Sequence, residues 1–260
     1  MKFLFLFFFL SISTYANKCD QTGTQIMKKQ NEEQSINSEE EIQHIVIQNQ
    51  KTKRKEERKL KRLMTKSTDS KKSLLYFYAP KEINGSGLLS WREGSDENQW
   101  LYLPALKKLQ RIATGSKKNY FMGTDFTYGD LDGEVLEKNN YTCLKAGPCD
   151  KGRKCYIIAA KPTNRAESRN IGYSKRMLLV DTKRYTTTRI VYFNLKGEKF
   201  KEAKYLNWKQ EKNVWRPNLA VMDRFGIQKT YIKIQSRSIN ERIDSKKFNK
   251  RFLTKEMHMK

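Results

Sequence analysis

From about residue 39 the polar and apolar positions alternate with a period of two. Ile45 and Ile47, two apart and flanked by His44 and Gln48, predict a strand over roughly 39–50 with one buried face. Residues 51–66 are almost wholly charged but keep Leu60, Leu63 and Met64. Taken alone this stretch fits a helix as well as a strand, and its place after a Lys51-Thr52 turn favours the second arm of a long hairpin. Further on, Leu74 to Ala79, Trp100 to Leu103, Ile157 to Ala160, Met177 to Val180 and Ile190 to Phe193 are short runs apolar on both faces. Their length suits strands covered on both sides. Turn residues separate them, at Asn84-Gly85-Ser86-Gly87, Lys196-Gly197, Glu211-Lys212-Asn213 and Arg224-Phe225-Gly226. The prolines at 104, 162 and 217 edge or end strands, as a missing donor requires. Before all this, residues 20–34 read as a short amphipathic helix presenting Ile26 and Met27. The expectation is about ten or eleven antiparallel strands in one domain over 17–260, with no internal repeat.

Residues 114–132 break the β pattern. Tyr120, Phe121, Met122, Phe126, Tyr128 and Leu131 alternate there with Asp125, Asp130 and Asp132. Thr124 is a candidate cap for a short helix, with Asp125 favourable in its first turn. This segment is the expected cover for an otherwise open sheet.

Composition then narrows the class. The 260 residues carry 53 Lys+Arg against 28 Asp+Glu, a net charge of +25 spread along the chain. With 12% aromatic residues, wholesale disorder is excluded. No apolar run reaches the ~20 residues of a membrane-spanning helix. The N-terminus reads as an address: Lys2, the apolar run Phe3 to Leu10, and Thr14-Tyr15-Ala16 as a small-residue cleavage site. That is the pattern of a secretory signal peptide over 1–16. A lipobox is not matched, because Ala16 and Lys18 occupy its key positions before Cys19.

All four cysteines, Cys19, Cys143, Cys149 and Cys155, follow that cleavage point, and an oxidising compartment allows them two disulfides in three connectivities. Their spacing is wrong for paired zinc ligands. Strands flanking a turn near Gly147-Pro148 would set Cys143 opposite Cys155, which predicts that bridge and leaves Cys149 for Cys19.

Catalytic equipment is sparse. The only histidines are His44 and His258, and no nucleophile elbow, Walker loop, dinucleotide fingerprint or His-Glu-x-x-His pair occurs. Asp130-x-Asp132-Gly133-Glu134 faintly suggests a calcium loop, but the later ligand positions do not follow. Neither an enzyme, a metal nor a cofactor is expected. Basic strands with interleaved aromatics would suit single-stranded nucleic acid, yet a signal peptide sends the chain elsewhere. Dispersed lysines keep a protein in solution, and near an anionic membrane they also allow transient docking.

Two longer motifs carry a resemblance. Gln99-Trp100-Leu101-Tyr102-Leu103-Pro104-Ala105-Leu106-Lys107-Lys108 with Arg111-Ile112, and Phe121-Met122-Gly123-Thr124-Asp125-Phe126-Thr127-Tyr128 with Asp130-Leu131, resemble the LolA-like outer membrane lipoprotein-sorting protein family. Gly172-Tyr173-Ser174-Lys175-Arg176 ahead of a strand ending in Asp181 is similar as well. The clustered cysteines and heavy lysine content depart from the usual pattern. The resemblance implies a mainly β fold, a curved antiparallel sheet forming an incomplete, half-open barrel with a helical lid. It also implies a non-enzymatic periplasmic carrier of lipid or lipoprotein acyl chains, with a resistance–nodulation–division type inner-membrane transporter as a partner. No catalytic residues come with it.

Burying a methylene is worth about 0.8 kcal/mol, so a ~15-carbon chain supplies on the order of 12 kcal/mol without specific polar contacts. Leu75, Phe77, Trp91, Trp100, Tyr102, Phe121, Met122 and Phe126 are the candidates to line or cover such a trough, though each also reads as ordinary core. Trp215 and Met222 are weaker candidates, and Arg62 and Arg111 are candidates for a head group. The competing expectation is a secreted basic interaction module that binds an acidic glycan or an envelope protein and holds no lipid. A hollow in the interior separates the two.

Overall fold

The structure is a computed structural model that describes residues 18–94, 96–149 and 152–259; the expected signal peptide lies outside them. Its strands are β1 (Ser38–Asn49), β2 (Lys55–Lys66), β3 (Ser70–Ala79), β4 (Gly87–Glu93), β5 (Asp96–Leu103), β6 (Lys108–Arg111), β7 (Asn139–Pro148), β8 (Lys154–Pro162), β9 (Lys175–Asp181), β10 (Thr187–Phe193), β11 (Lys199–Glu211), β12 (Val214–Arg224) and β13 (Gln228–Ile239). The described helices are α1 (Gly23–Glu33), α2 (Tyr128–Asp132), α3 (Arg165–Ile171) and α4 (Lys250–Thr254), with several single 3₁₀ turns.

All thirteen strands form one antiparallel sheet in the order β6-β5-β4-β3-β2-β1-β13-β12-β11-β10-β9-β8-β7. The charged stretch after Lys51 is indeed the second hairpin arm: Arg58, Leu60, Arg62 and Met64 stand opposite Ile45, Gln43, Glu41 and Glu39. Sequence neighbours pair throughout except at two places. β1 pairs with β13, and β6 and β7 stand at opposite edges. The chain must therefore travel from one edge to the other between Ile112 and Lys138. That crossing, which contains the predicted cover, runs over the inner face.

The sheet curls strongly. Arg92 on β4 and Arg176 on β9 are eight strand spacings apart, roughly 38 Å on a flat sheet. Both reach Glu134: Arg92 Nη1 donates to its carbonyl at 3.5 Å and Arg176 Nη1 to its carboxylate at 2.7 Å. β6 and β7 do not pair, so the barrel stays open.

Each face of the sheet has its own cover. On the inner face, Ile45, Ile47, Leu60, Leu75, Phe77, Leu88 and Leu101 pack beneath Phe121 and Tyr128 of the crossing. A second inner cluster joins β7–β12 to α1 through Ile26 and Met27. On the outer face, Leu63, Leu74, Leu89, Trp100 and Tyr102 are covered by Phe248 and Leu253 of the C-terminal segment. Two covers explain why those runs are apolar at successive positions rather than alternating. The helix expected at 20–34 forms as α1, capped by a Thr22–Gln25 capping box. Its first residue must be glycine, since a Cβ on Gly23 would sit 2.7 Å from the Tyr141 backbone.

Three expectations are corrected. The strand count is thirteen, partly because β6 is a four-residue edge strand whose sequence, Lys-Leu-Gln-Arg, carries almost no β signal. The short helix of the crossing is capped by Thr127, with Asp130 returning the bond, and not by Thr124. The disulfides are Cys19–Cys143 and Cys149–Cys155. A bulge at Leu144 shifts the β7–β8 register, so Cys143 stands opposite Ile158 and Cys155 opposite Gly147. Residues directly opposite share a face, and Ile158 and Cys155 are three apart on one strand. Cys143 and Cys155 therefore point to opposite faces.

Candidate functional site

A cavity of about 770 Å³ lies beside the crossing, between α1, residues 133–137 and the inner faces of β1–β4 and β9–β12. That volume is within the range of small-molecule sites. Its walls differ in character. β9–β12 contribute Leu178, Ile190, Tyr192, Tyr205, Trp208 and Trp215, while β1–β4 contribute Glu39, Arg62, Lys71 and Arg92. Alternation explains how each strand delivers one set inward: Tyr192 stands opposite Lys201 and Arg176, and Arg62 opposite Glu41 and Leu75.

Most cavity charges are already paired. Arg62 Nη1 lies 2.9 Å from Glu39 and 3.2 Å from Glu41, and Arg216 Nε lies 3.0 Å from Glu39. Burial pushes the Glu39 carboxyl up, but Arg62, Arg216 and Arg237 outweigh it and hold it below the usual range. Glu134 likewise lies below its ordinary value, because the Arg176 guanidinium overcomes the cost of burial. Lys71 differs. Among the described residues no carboxylate is within ion-pair distance of its ammonium, and its hydrogen bond is a long one, 3.5 Å to the Asp132 carbonyl. Burial, with the Arg62 and Arg92 charges nearby, pushes it down to about 7. The Tyr205 phenol is pushed up to about 12 by burial and then by Asp130, so it stays neutral. The cavity thus offers an aromatic wall facing a basic one, with one cation short of a partner.

The crossing is clamped over this space by ion pairs. Lys201 on β11, wholly buried, meets Asp130; Arg224 Nε lies 3.0 Å from Asp125; Lys117 Nζ lies 2.6 Å from Glu97 and 2.9 Å from Asp132. Asp130 and Asp132 therefore face ammonium groups. Sequence reading saw these acids in a basic chain, and their concentration at 125–134 was the available sign that this segment is held by the sheet's cations.

The sequence candidates divide. Leu75, Phe77 and Phe121 pack together at the apolar end of the inner face, with Met122 against them, and the Phe77 and Phe121 rings stack at 5.8 Å. Phe126 belongs to the cluster beneath α1. Trp91, Trp100 and Tyr102 lie on the outer face under the C-terminal segment, where Trp91 Nε1 donates to the Phe248 carbonyl at 3.0 Å and the Tyr102 hydroxyl to Glu256 at 2.9 Å. None of the eight lines the cavity, because the crossing fills one end of the hollow and strand parity sends three side chains outward. Arg62 and Trp215 do line it. Arg111 is exposed on β6 beside Asn98, and Met222 is fully buried in the core. Sequence reading missed Lys71, Arg92, Arg176, Tyr192, Tyr205 and Trp208. Tyr205 and Trp208 are three apart on β11 yet both reach the same wall; Asn207 between them has a positive φ of 55°, a local break in the alternation that leaves the β11–β12 register unshifted.

A strongly curled, open antiparallel sheet with a crossing segment over its hollow is the LolA-like architecture. The chain has the fold of an outer membrane lipoprotein-sorting protein domain from Vibrio parahaemolyticus, with TM-score 0.83, 24% identity and coverage of 89% of this chain and 98% of that one. A DUF1329 family protein from Desulfovibrio piger superposes with TM-score 0.82 at 19% identity, covering 89% and 97% of the two chains. A LolA superfamily protein from Nitrosomonas europaea gives TM-score 0.68 at 16% identity, covering 89% and 99%. A family described as "Uncharacterized protein" matches residues 69–255, and the chain belongs to it. Comparison with curated proteins gives no match.

Proposed function

We propose that this protein is a non-enzymatic carrier that holds an amphiphile bearing acyl chains and an acidic head group, and moves it across the periplasm. The observation that carries this reading is the 770 Å³ cavity with an aromatic wall and a basic one. Apolar chains would lie against Tyr192, Tyr205, Trp208 and Trp215, where each buried methylene is worth about 0.8 kcal/mol. The head group would meet Lys71 and Arg62. Leu75, Phe77, Phe121 and Met122 form the apolar extension of the same trough, open to a longer chain once the crossing moves. The fold supports a lipoprotein-sorting or lipid-carrier type of protein, and the disulfides fit an extracytoplasmic location. A transporter of the resistance–nodulation–division type is the partner the motif resemblance implies.

Protein purified from its native periplasm is expected to release lipid on organic extraction, read by mass spectrometry, and Trp208→Asp with Tyr205→Asp is expected to lose most of it. A native preparation free of lipid that also fails to take up a fluorescent fatty acid overturns the reading. In that case salt-sensitive binding of an acidic glycan or an envelope protein takes its place.

A further inference from the structure

An antiparallel sheet leaves its connections on two rims. One rim carries the β1–β2, β3–β4, β5–β6, β8–β9, β10–β11 and β12–β13 connections. The C-terminal turn joins it, because His258 Nε2 lies 2.7 Å from the Gly85 carbonyl. Eight large apolar side chains are exposed among the described residues, and Tyr78, Leu106, Leu195, Phe225, Ile227, Met257 and Met259 all lie on this rim. Leu106 is 67% exposed and Leu195 53%. The exception, Leu144, is the bulge residue of β7. Chance scatter would not gather seven of eight at one rim, since isolated apolar side chains distribute over a whole surface.

The charge between these tips is one-sided. Lys51, Lys53 and Arg54 are exposed in the β1–β2 turn, Lys107 and Lys108 after Leu106, and Lys196 beside Leu195. The exposed acids at this rim are Glu56 and Glu57 at the start of β2, beside Arg58 and His44, with Glu82 and Glu198, the last accepting from Asn194 Nδ2 at 2.9 Å, and the cations outnumber them. The opposite rim is mixed, with Asp69, Glu93, Asp96, Glu241 and Asp244 exposed. The tips also adjoin: the Gln50 amide donates to the Ile227 carbonyl at 2.9 Å, and the β10–β11 turn stands two strand spacings, ~10 Å, from the β12–β13 turn.

We infer that this rim docks on the surface of an anionic lipid bilayer. Single apolar side chains on separate hairpin tips, with lysines between them, do not make the contiguous buried patch that a stable protein interface needs. They do match a headgroup layer, which accepts each apolar tip separately while its negative charge draws in the cations. The docked orientation has a consequence for the hollow. The Met122 and Gly123 carbonyls are held at this rim by Arg58 and Gln228, the latter at 2.9 Å, whereas the cavity reaches the Lys66–Lys71 and Trp215–Pro217 strand ends at the other. Docking therefore turns the Phe121–Met122 plug toward the bilayer. This inference stands whether or not the cavity carries lipid.

The test is flotation of the disulfide-intact protein with vesicles of phosphatidylglycerol and phosphatidylethanolamine, against vesicles of phosphatidylcholine. Association is expected with the anionic vesicles, weakening as salt rises. Lys51→Gln with Lys53→Gln and Arg54→Gln is expected to weaken it on the order of a hundredfold, at roughly fivefold per cation. Leu195→Asp with Ile227→Asp is expected to weaken it about tenfold or more, and Leu144→Asp to leave it unchanged. All of these side chains are exposed, so circular dichroism should report an unaltered fold. No association with anionic vesicles, rim variants that float like the parent, or equal loss in Leu144→Asp overturns the inference. A rim variant that keeps its extracted lipid but no longer floats would separate docking from carriage.

Discussion

Lys71 is where composition misleads most. In a chain of 53 basic residues it looks like one more solvated lysine, yet it lines the cavity with no carboxylate of the described residues within ion-pair distance, and sits at about 7. The groups around it are Arg62, Arg92 and Lys66, which repel its charge, and Asp132, which favours it. Its value lies below that of an unfolded lysine, so between about 7 and 10 the unfolded chain binds the extra proton. Its unfavourable contribution to stability is complete below about 7 and is relieved as pH rises toward 10. An anionic head group reverses the preference by favouring the charged form. Binding of a fluorescent fatty acid is therefore expected to be several-fold tighter at pH 6 than at pH 8, with proton uptake. Lys71→Met should flatten that dependence while leaving binding to the aromatic wall measurable; a dependence that survives the substitution assigns it elsewhere.

Among the elements, the crossing between β6 and β7 decides how the hollow is shared. Its position follows from topology, because a meander ending at one edge and resuming at the other must traverse the face between them. Its seat is electrostatic as much as apolar. Glu97 on β5 accepts from Lys117 and from Lys138, each at 2.6 Å. Burial raises its carboxyl, and those two hydrogen bonds overcome it and lower it to about 2. That stability is present above the ordinary carboxylate value and is lost as pH falls through about 2. Glu97→Gln leaves Lys117 with Asp132 alone and is expected to cost ~3 kcal/mol, as broken buried pairs do. Hydrogen exchange should show the loss as faster exchange over 114–138 and little change in β11–β13. Equal protection in the variant would mean that apolar packing alone holds the segment. The acids at 125–134 were visible in the sequence; which cation each meets was not, since Lys201, Arg176 and Arg224 come from strands brought near by the curl.

At the scale of the whole molecule the two disulfides do unequal work. Cys19–Cys143 spans 124 residues and ties the start of the described chain to the edge strand β7, whereas Cys149–Cys155 spans six and staples one hairpin tip. On loop-closure entropy the long bridge stabilises by about 5 kcal/mol and the short one by about 2 kcal/mol. Cys19→Ser with Cys143→Ser is thus expected to lower the denaturant midpoint more than Cys149→Ser with Cys155→Ser. The reverse order would show that the edge hairpin, rather than the docking of α1, is the weak point. Four cysteines and an oxidising destination predicted two bridges. Their pairing needed the β7–β8 register, which one unpaired residue at Leu144 shifts.

Local physics reached most of the secondary structure. Period-two alternation located β1, apolar runs located β3, β5, β8, β9 and β10, and turn residues located the hairpins between β10 and β13, because strand faces and tight turns impose their demands on neighbouring residues. Two long motifs fixed the architecture by resemblance. What only the tertiary structure decided is which apolar side chains enclose space and which fill it. Trp100 and Phe77 are equally apolar in the sequence, yet one lies under the C-terminal segment and the other under the crossing. The cavity wall comes instead from Tyr192, Tyr205, Trp208 and Trp215, set against Arg62 and Lys71 from far along the sheet. A side chain carries its polarity and its strand parity locally. Whether anything packs against it depends on how thirteen strands curl and on what crosses their hollow, and those are properties of the whole chain.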